Sequence, residues 1–511
     1  HPNNDLTITD NLTVDAGGTV NIENSGSLIQ VNNLANTGNI TMRRNVNIRQ
    51  LDYVYWSSPV ANFASSAISP LTPASFIYKW APTLGGTVNN HGNWIGGSES
   101  MTAGKGYIVR GPSTYTSTLQ NYTANFIGVP NNGIINMPVS RGTYDGANYN
   151  TGLSSTLATR DDDNWNLIGN PYPSAISANT FLATNTNLAG FIKYWTHGTL
   201  PSAVISDPFY SNYVQNYTVG DYVTYNATGA NPPIGNGNIA AGQGFFVLMN
   251  HTSTAATENV VFNNTMRRND YRNDLFFRNS SVTNTENEEK HRIWLNLISP
   301  ASTSSTTLVG YVSGASNNLD RMYDAPALDV KTNFELYSFS NTDKLNIQGK
   351  ALPFNNEDLI PLGVNISQNG IHTIGISTVD GLFESASQGI YIEDKTLGIT
   401  HDLRVAPYSF TGAVGNYENR FVLKFNNATL GNEDFTANAV TVYTNEFINI
   451  NATNQTIKSV KIYDLLGRVL GTFDNVNSET FTSKNIAKTQ TALLVEVVLD
   501  NGATKTYKVI F

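Results

Sequence analysis

Apolar and polar residues alternate with a period of two along most of the chain, and helical spacing is nearly absent. Such alternation places successive side chains on opposite faces of a strand. Clusters of Gly, Asn and Asp separate the alternating runs and mark turns. The pattern therefore predicts an all-β, multidomain protein built mainly from antiparallel β-sandwiches.

The first 48 residues contain the shortest alternating runs. They cover residues 6–8, 12–14, 20–22, 28–31 and 40–42. Short strands at near-regular spacing are typical of a β-solenoid or of a sandwich edge. We interpret residues 1–48 as a β-repeat segment and expect it to be the last part of a longer stack. The chain begins at His1 without a signal region, which predicts a processed form or a fragment.

A duplicated module follows the repeat segment. Three blocks recur in the same order: residues 55–59 and 165–171, residues 76–80 and 191–195, and residues 101–109 and 239–247. The starts of the second and third blocks lie 25 residues apart in the first copy and 48 in the second, which indicates a Tyr-rich insertion in a loop. We predict copies at 49–160 and 161–268, with one strand order and with Trp80 equivalent to Trp195.

Two further domains are predicted. Residues 269–427 show strand runs separated by turns, which favours a β-sandwich. A polar break at 426–434 is a predicted linker. Residues 437–511 hold seven short strands, as in a small Ig-like sandwich, and residues 462–470 have the pattern of a tight hairpin.

Composition narrows the classes of function. The net charge is -9, the sequence pI is about 5.3, and no Lys/Arg cluster occurs, so nucleic-acid binding is not expected. There are no cysteines, which excludes disulfides and thiolate chemistry. No apolar run reaches the length of a membrane helix.

The C-terminal segment carries the most specific motifs. They are residues 460–469, Asn501-Gly502 before the last strand, and residues 508–510 beside the chain end. In this order they resemble type A C-terminal sorting domains of type IX secretion system cargo. One departure is that residues 443–447 stand where such domains commonly have an Asn-Pro turn.

This resemblance implies an exported cargo that is secreted or held at the cell surface after crossing the periplasm and outer membrane. The implied partners are an outer-membrane shuttle of the PorV kind, the type IX translocon and a sortase. The expected contacts with the shuttle are Tyr463, Asp464, Gly467, Arg468, Lys508, Val509 and Ile510. The passenger is similar to β-rich gliding-motility adhesins, so we expect adhesion or ligand binding and no enzyme activity.

Few other residues suggest chemistry. The seven histidines are far apart, and no Gly-x-Ser-x-Gly elbow occurs. We therefore predict no catalytic residue and no cofactor. Asp161, Asp162, Asp163 and Asn164 offer oxygen ligands, for which calcium is one interpretation and a solvated loop the other.

Five of the six tryptophans lie in the duplicated region. Aromatic faces stack on sugars, so a carbohydrate or another surface ligand is one prediction, although duplicated core packing explains the repeated positions more simply. Trp94 has no counterpart in the aligned second copy and is the predicted ligand contact. Two other functions stay open. A secreted polysaccharide hydrolase would need a carboxylate pair in a groove, and a structural stalk would need only an elongated shape.

Overall fold

The computed structural model describes residues 5–85, 91–150, 157–202, 217–235, 237–268, 273, 288–327, 334–427, 440–453, 455–500 and 502–511. The chain forms two compact units, His1–Asn426 and Asn427–Phe511. Strands dominate both, and the protein is all-β. The described part of the chain contains no helix long and apolar enough to cross a membrane.

The N-terminal segment is a short parallel coil, which fits the β-solenoid, one of the two predicted alternatives. Its strands are β1 (Asp5–Ile8), β2 (Asn21–Ile22), β3 (Ser27–Gln30) and β4 (Ile40–Ile48). β1 lies parallel to β3, and β2 lies parallel to β4. β4 then continues beyond the coil, with every second side chain buried, so it joins the coil to the next module.

The first module contains β5 (Tyr53–Trp56), β6 (Ile77–Ala81), β7 (Asn93–Gly96), β8 (Tyr107–Arg110), β9 (Gln120–Gly128) and β10 (Ile135–Ser140). Its main sheet has the order β5-β8-β6-β7. β9 pairs with β4 and covers one face of that sheet. A short hairpin, β11 (Tyr149–Asn150) and β12 (Leu157–Ala158), follows.

The second module repeats this arrangement. Its elements are β13 (Trp165–Gly169), β14 (Ile176–Ser177), α1 (Ala178–Thr184), β15 (Leu188–Trp195), β16 (Tyr222–Tyr225), β17 (Ala230–Asn231), β18 (Asn238–Ile239), β19 (Gly244–Met249) and β20 (Thr257–Phe262). The main sheet has the order β13-β19-β15-β16-β17, and β20 pairs with β10. The helix α1 was not predicted; Ser177 caps it by accepting from Thr180 N at 3.2 Å.

The predicted duplication is confirmed by strand order and by contacts that are exchanged between the modules. In each sheet the first strand along the chain pairs with the last, the last with the second, and the second with the third; the second sheet adds β17 beside β16. Trp80 Nε1 donates to Trp165 O at 2.7 Å, and Trp195 Nε1 donates to Tyr53 O at 3.0 Å. Reciprocal contacts of this kind are produced by an approximate two-fold relation. Trp80 and Trp195 are thus equivalent, as predicted.

The last part of the first unit is one large sheet. Its strands are β21 (Lys290–Ile298), β22 (Ser304–Val312), β23 (Ala325–Pro326), β24 (Glu335–Ser340), β25 (Asp343–Lys350), β26 (Leu359–Ile366), β27 (Gly370–Asp380), β28 (Tyr391–Asp394), β29 (Ile399–Asp402), β30 (Tyr408–Gly412) and β31 (Gly415–Lys424). The order is β29-β28-β31-β26-β24-β25-β22-β21-β27-β30, with β23 beside β25. Phe410 contacts Phe421 with ring centroids 4.7 Å apart, so the sheet curls around a single core.

The second unit, Asn427–Phe511, has its own core. Its strands are β32 (Val440–Thr444), β33 (Ile448–Ala452), β34 (Ile457–Asp464), β35 (Val469–Ser478), β36 (Thr480–Ser483), β37 (Ala492–Leu499) and β38 (Thr504–Ile510). They form one sheet of order β32-β33-β36 and one of order β35-β34-β37-β38. Seven strands in two sheets agree with the predicted small sandwich.

Short 3₁₀ segments occur in the first unit at Ser65–Ala67, Ala74–Phe76, Asp162–Asn164, Val219–Asp221, Asn264–Met266 and Gly381–Glu384.

Candidate functional site

The turn between β34 and β35 is held by its first residue. Asp464 Oδ1 accepts from Leu466 N at 2.9 Å and from Arg468 N at 3.0 Å, and Asp464 Oδ2 accepts from Arg468 Nε at 2.6 Å. These hydrogen bonds from Arg468 lower the pKa of Asp464. Gly467 has a φ of +83°, which glycine adopts without strain. Asp at the first position and Gly at the left-handed position explain why the chain turns here.

The strand register brings this turn to the same end of the sheet as the chain terminus. Asp464 pairs with Leu493 on β37, and Leu493 pairs with Val509 on β38. Adjacent strands are about 4.8 Å apart, so Asp464 and Val509 lie roughly 10 Å apart across the sheet. The residues predicted to contact the shuttle are therefore gathered at one end of one sheet.

The next row across the sheet faces the other way. It consists of Tyr463, Leu494 and Lys508. Val469 on β35 extends this row beside Tyr463. Four apolar residues at this end of the sheet have large exposed fractions: Leu465 60%, Leu466 84%, Val469 56% and Ile510 70%. We call this end of the sheet the hairpin face and define it by Leu465, Leu466, Val469, Lys508 and Ile510.

Sequence reasoning named Ile510 and Lys508 but missed the other members of the hairpin face. The signal was the adjacent pair Leu465-Leu466 inside a turn, where polar residues are usual. Both side chains of this pair are mostly exposed. Their exposure favours a contact with another surface.

The terminal strand β38 is an edge strand, as predicted, but its end is fixed. Thr444 Oγ1 donates to Ile510 O at 3.0 Å. Phe511 is only 2% exposed, and its carbonyl accepts from Thr489 N and from Thr491 N, each at 3.1 Å. Removing residues 508–511 would therefore also remove a core side chain. Surface substitutions test recognition of this end more cleanly than truncation does.

The predicted ligand contact Trp94 lies in an aromatic layer between the two modules. It is half-buried, and its ring centroid lies 5.0 Å from that of Trp80 and 6.0 Å from that of Phe246. Trp94 pairs with Trp80 as Tyr222 pairs with Trp195. The expectation that Trp94 lacks a counterpart is therefore wrong. Its counterpart is Tyr222, which differs in residue type and lies outside the three repeated blocks, so the sequence comparison could not identify it. A role in ligand binding stays a prediction.

The acidic loop before β13 directs its side chains to separate partners. Asp162 Oδ2 accepts from Thr159 N at 2.6 Å, and Asn164 Oδ1 accepts from Gly142 N at 3.1 Å. Asp163 is 2% exposed, and burial raises its pKa to about 6. Within the described residues, no group of three or more His, Cys, Asp or Glu side chains is arranged to hold a metal ion.

The comparisons with known families divide the chain in the same way as the two compact units. Residues 1–425 match the family model described as Domain of unknown function (DUF8693). Residues 430–511 match the model described as Domain of unknown function (DUF8694). The chain has no match among curated proteins.

Proposed function

The chain belongs to the DUF8693 family, and we propose that it is an exported surface or secreted protein whose C-terminal unit directs its delivery. In this proposal residues 437–511 act as a sorting domain of the type IX secretion system. The first unit is the passenger, with an adhesive or ligand-binding role and no catalytic one. The destination is the cell surface or the extracellular medium.

The observation that carries the proposal is the hairpin face. The motif residues behind the resemblance to sorting domains lie far apart in sequence, yet the turn and the terminal strand meet at one end of the sheet. Leu466 and Ile510 are 84% and 70% exposed there. Exposed apolar side chains beside an edge strand favour docking on a partner surface. The proposed partner is an outer-membrane shuttle of the PorV kind.

A separate unit suits an address signal. Residues 427–511 bury their own apolar core, so the unit does not depend on the passenger for its fold. The shuttle would then read the hairpin face whatever the passenger carries. Passage through the translocon and release or attachment by a sortase would follow binding.

Two matched glycine variants test which end of the sheet the shuttle reads. Gly467 and Gly502 have φ values of +83° and +88°, and an added Cβ would meet nothing within 4 Å at either. Val at either position should cost about 1–2 kcal/mol of backbone strain. Gly502 lies in the turn at the opposite end of β38. We expect Gly467→Val, but not Gly502→Val, to reduce co-purification with the shuttle.

A surface variant separates recognition from stability. The double variant Leu466→Ser and Ile510→Ser removes two exposed apolar groups without touching the core, and it should abolish shuttle binding. The control is Val405→Ser in the passenger, where the side chain is 80% exposed. Equal recovery of the shuttle with the double variant and with the control would contradict the assignment of this face.

Deletion of residues 437–511 tests the role in export. The passenger should remain folded and accumulate in the periplasm, as measured by fractionation and by protease accessibility on intact cells. Normal surface delivery of the truncated chain would refute the proposal.

A further inference from the structure

The N-terminal coil has an open end. In the described part of the chain, β1 pairs with β3 and β2 pairs with β4, and neither β1 nor β2 has a second neighbour. The opposite end of the coil, at β3, is covered by the second module, because Leu28 N donates to Pro173 O at 2.8 Å. An uncovered strand edge presents unpaired backbone groups to another strand. In the described part of the chain, the coil is thus covered at β3 and uncovered at β1.

The side chains show the same difference between the two turns of the coil. Leu6 and Leu28 are register partners. Leu28 is fully buried, whereas Leu6 is 44% exposed. Ile8, Leu12 and Val14 are only partly buried and pack onto the core. Among the described residues, the apolar interior of the coil therefore reaches its open end without a cap.

The register of the parallel strands gives the length of one turn of the coil, and so the length of a further turn that could stack on the open end. Partners in successive turns are 20 to 24 residues apart: Asp5 with Ser27, Thr13 with Thr37, and Asn21 with Thr41. All three pairings are parallel. A matching layer is thus another turn of the same length and strand direction.

We propose that the open end of the coil is a stacking surface for a further parallel β-coil that does not carry the same acidic charge. A second copy of the same end is a poor fit because two-fold pairing of identical edges would be antiparallel. It would also bring like charges together, since residues 5–26 contain Asp5, Asp10, Asp15 and Glu23 but no Lys or Arg. A coil that preceded this one in a polypeptide would meet the surface in the required direction.

The test places one more turn on the full chain. A copy of residues 5–26 is inserted directly before Asp5, with Asn in place of its three Asp residues and Gln in place of its Glu. Backbone amides of residues 5–22 in the original turn are followed by hydrogen exchange. We expect their exchange to slow about ten-fold, because the added turn pairs with the open edge.

The control is the same insertion with Ser in place of its copies of Leu6, Ile8, Leu12, Val14 and Val20. It has the same length but cannot continue the apolar interior. Exchange that is unchanged by the first insertion, or slowed equally by both, would overturn the proposal.

The mass of the unmodified chain in solution gives a second measurement. A monomer supports the proposed occupant. A dimer that Leu6→Asp dissociates would assign the surface to a second copy and would overturn it.

Discussion

Replacement of Asp163 by Asn is expected to stabilise the first unit at neutral pH. Asp163 lies in a 3₁₀ segment just before β13 and is 2% exposed. Its Oδ1 has no hydrogen-bond partner among the described residues. The carboxyl group packs on Gly142, where an added Cβ would lie 1.4 Å from Oδ2. Desolvation opposes ionisation of a carboxyl group in such a site.

The size and sign of the effect follow from the pKa. Burial raises the pKa of Asp163 from 3.8 to about 6, His251 lowers it in part, and Asp162 and Asp161 raise it further. The folded protein thus holds this proton more tightly than the unfolded chain. The carboxylate destabilises the fold fully above pH 6 and not at all below 3.8. At about 1.36 kcal/mol per pKa unit, Asn should add at most about 3 kcal/mol at pH 8.

Urea unfolding followed by tryptophan fluorescence measures this gain, because all six tryptophans lie in the first unit. The free energy of unfolding of Asp163→Asn should exceed that of the original protein at pH 8, and the difference should shrink toward pH 4. Asp15→Asn is the control, since it removes the same charge from an exposed side chain of the same unit. Destabilisation at pH 8, or a gain that does not change with pH, would refute the reasoning.

Two other predictions concern packing. Trp80→Phe and Trp195→Phe should each lower the free energy of unfolding by about 1–3 kcal/mol. Each change leaves one carbonyl between the modules without its indole donor. A loss of stability at only one of the two positions would contradict the two-fold relation. Gly190→Ala should cost at least about 3 kcal/mol, because Gly190 has a φ of +83° and an added Cβ would lie 1.9 Å from Arg321 O. Gly17→Ala, at a φ of +85° with nothing within 4 Å, should cost only about 1–2 kcal/mol, and equal losses at the two glycines would refute the role of the close contact.

Much of the fold follows from local pattern. Period-two alternation identified most strands, since burial of one face of a sheet requires it wherever the strand lies. Repeated blocks identified the duplication and the equivalence of Trp80 with Trp195. Asp464 and Gly467 identified the hairpin, because their turn preferences act within a few residues. At the hairpin face, sequence motifs supplied Lys508 and Ile510.

What the pattern could not give depends on which strands become neighbours. Tyr222 matches Trp94 only through sheet register, and the burial of Asp163 depends on its contact with Gly142. Leu465 and Leu466 lie at the same end of the sheet as Ile510 only because β37 pairs with both β34 and β38. The alternating pattern determines which side chains of a strand are buried, but this pattern does not depend on which strand is its neighbour. The choice of neighbour is made by the whole core, so the chain's sequence determined the strands and the tertiary structure determined the faces they share.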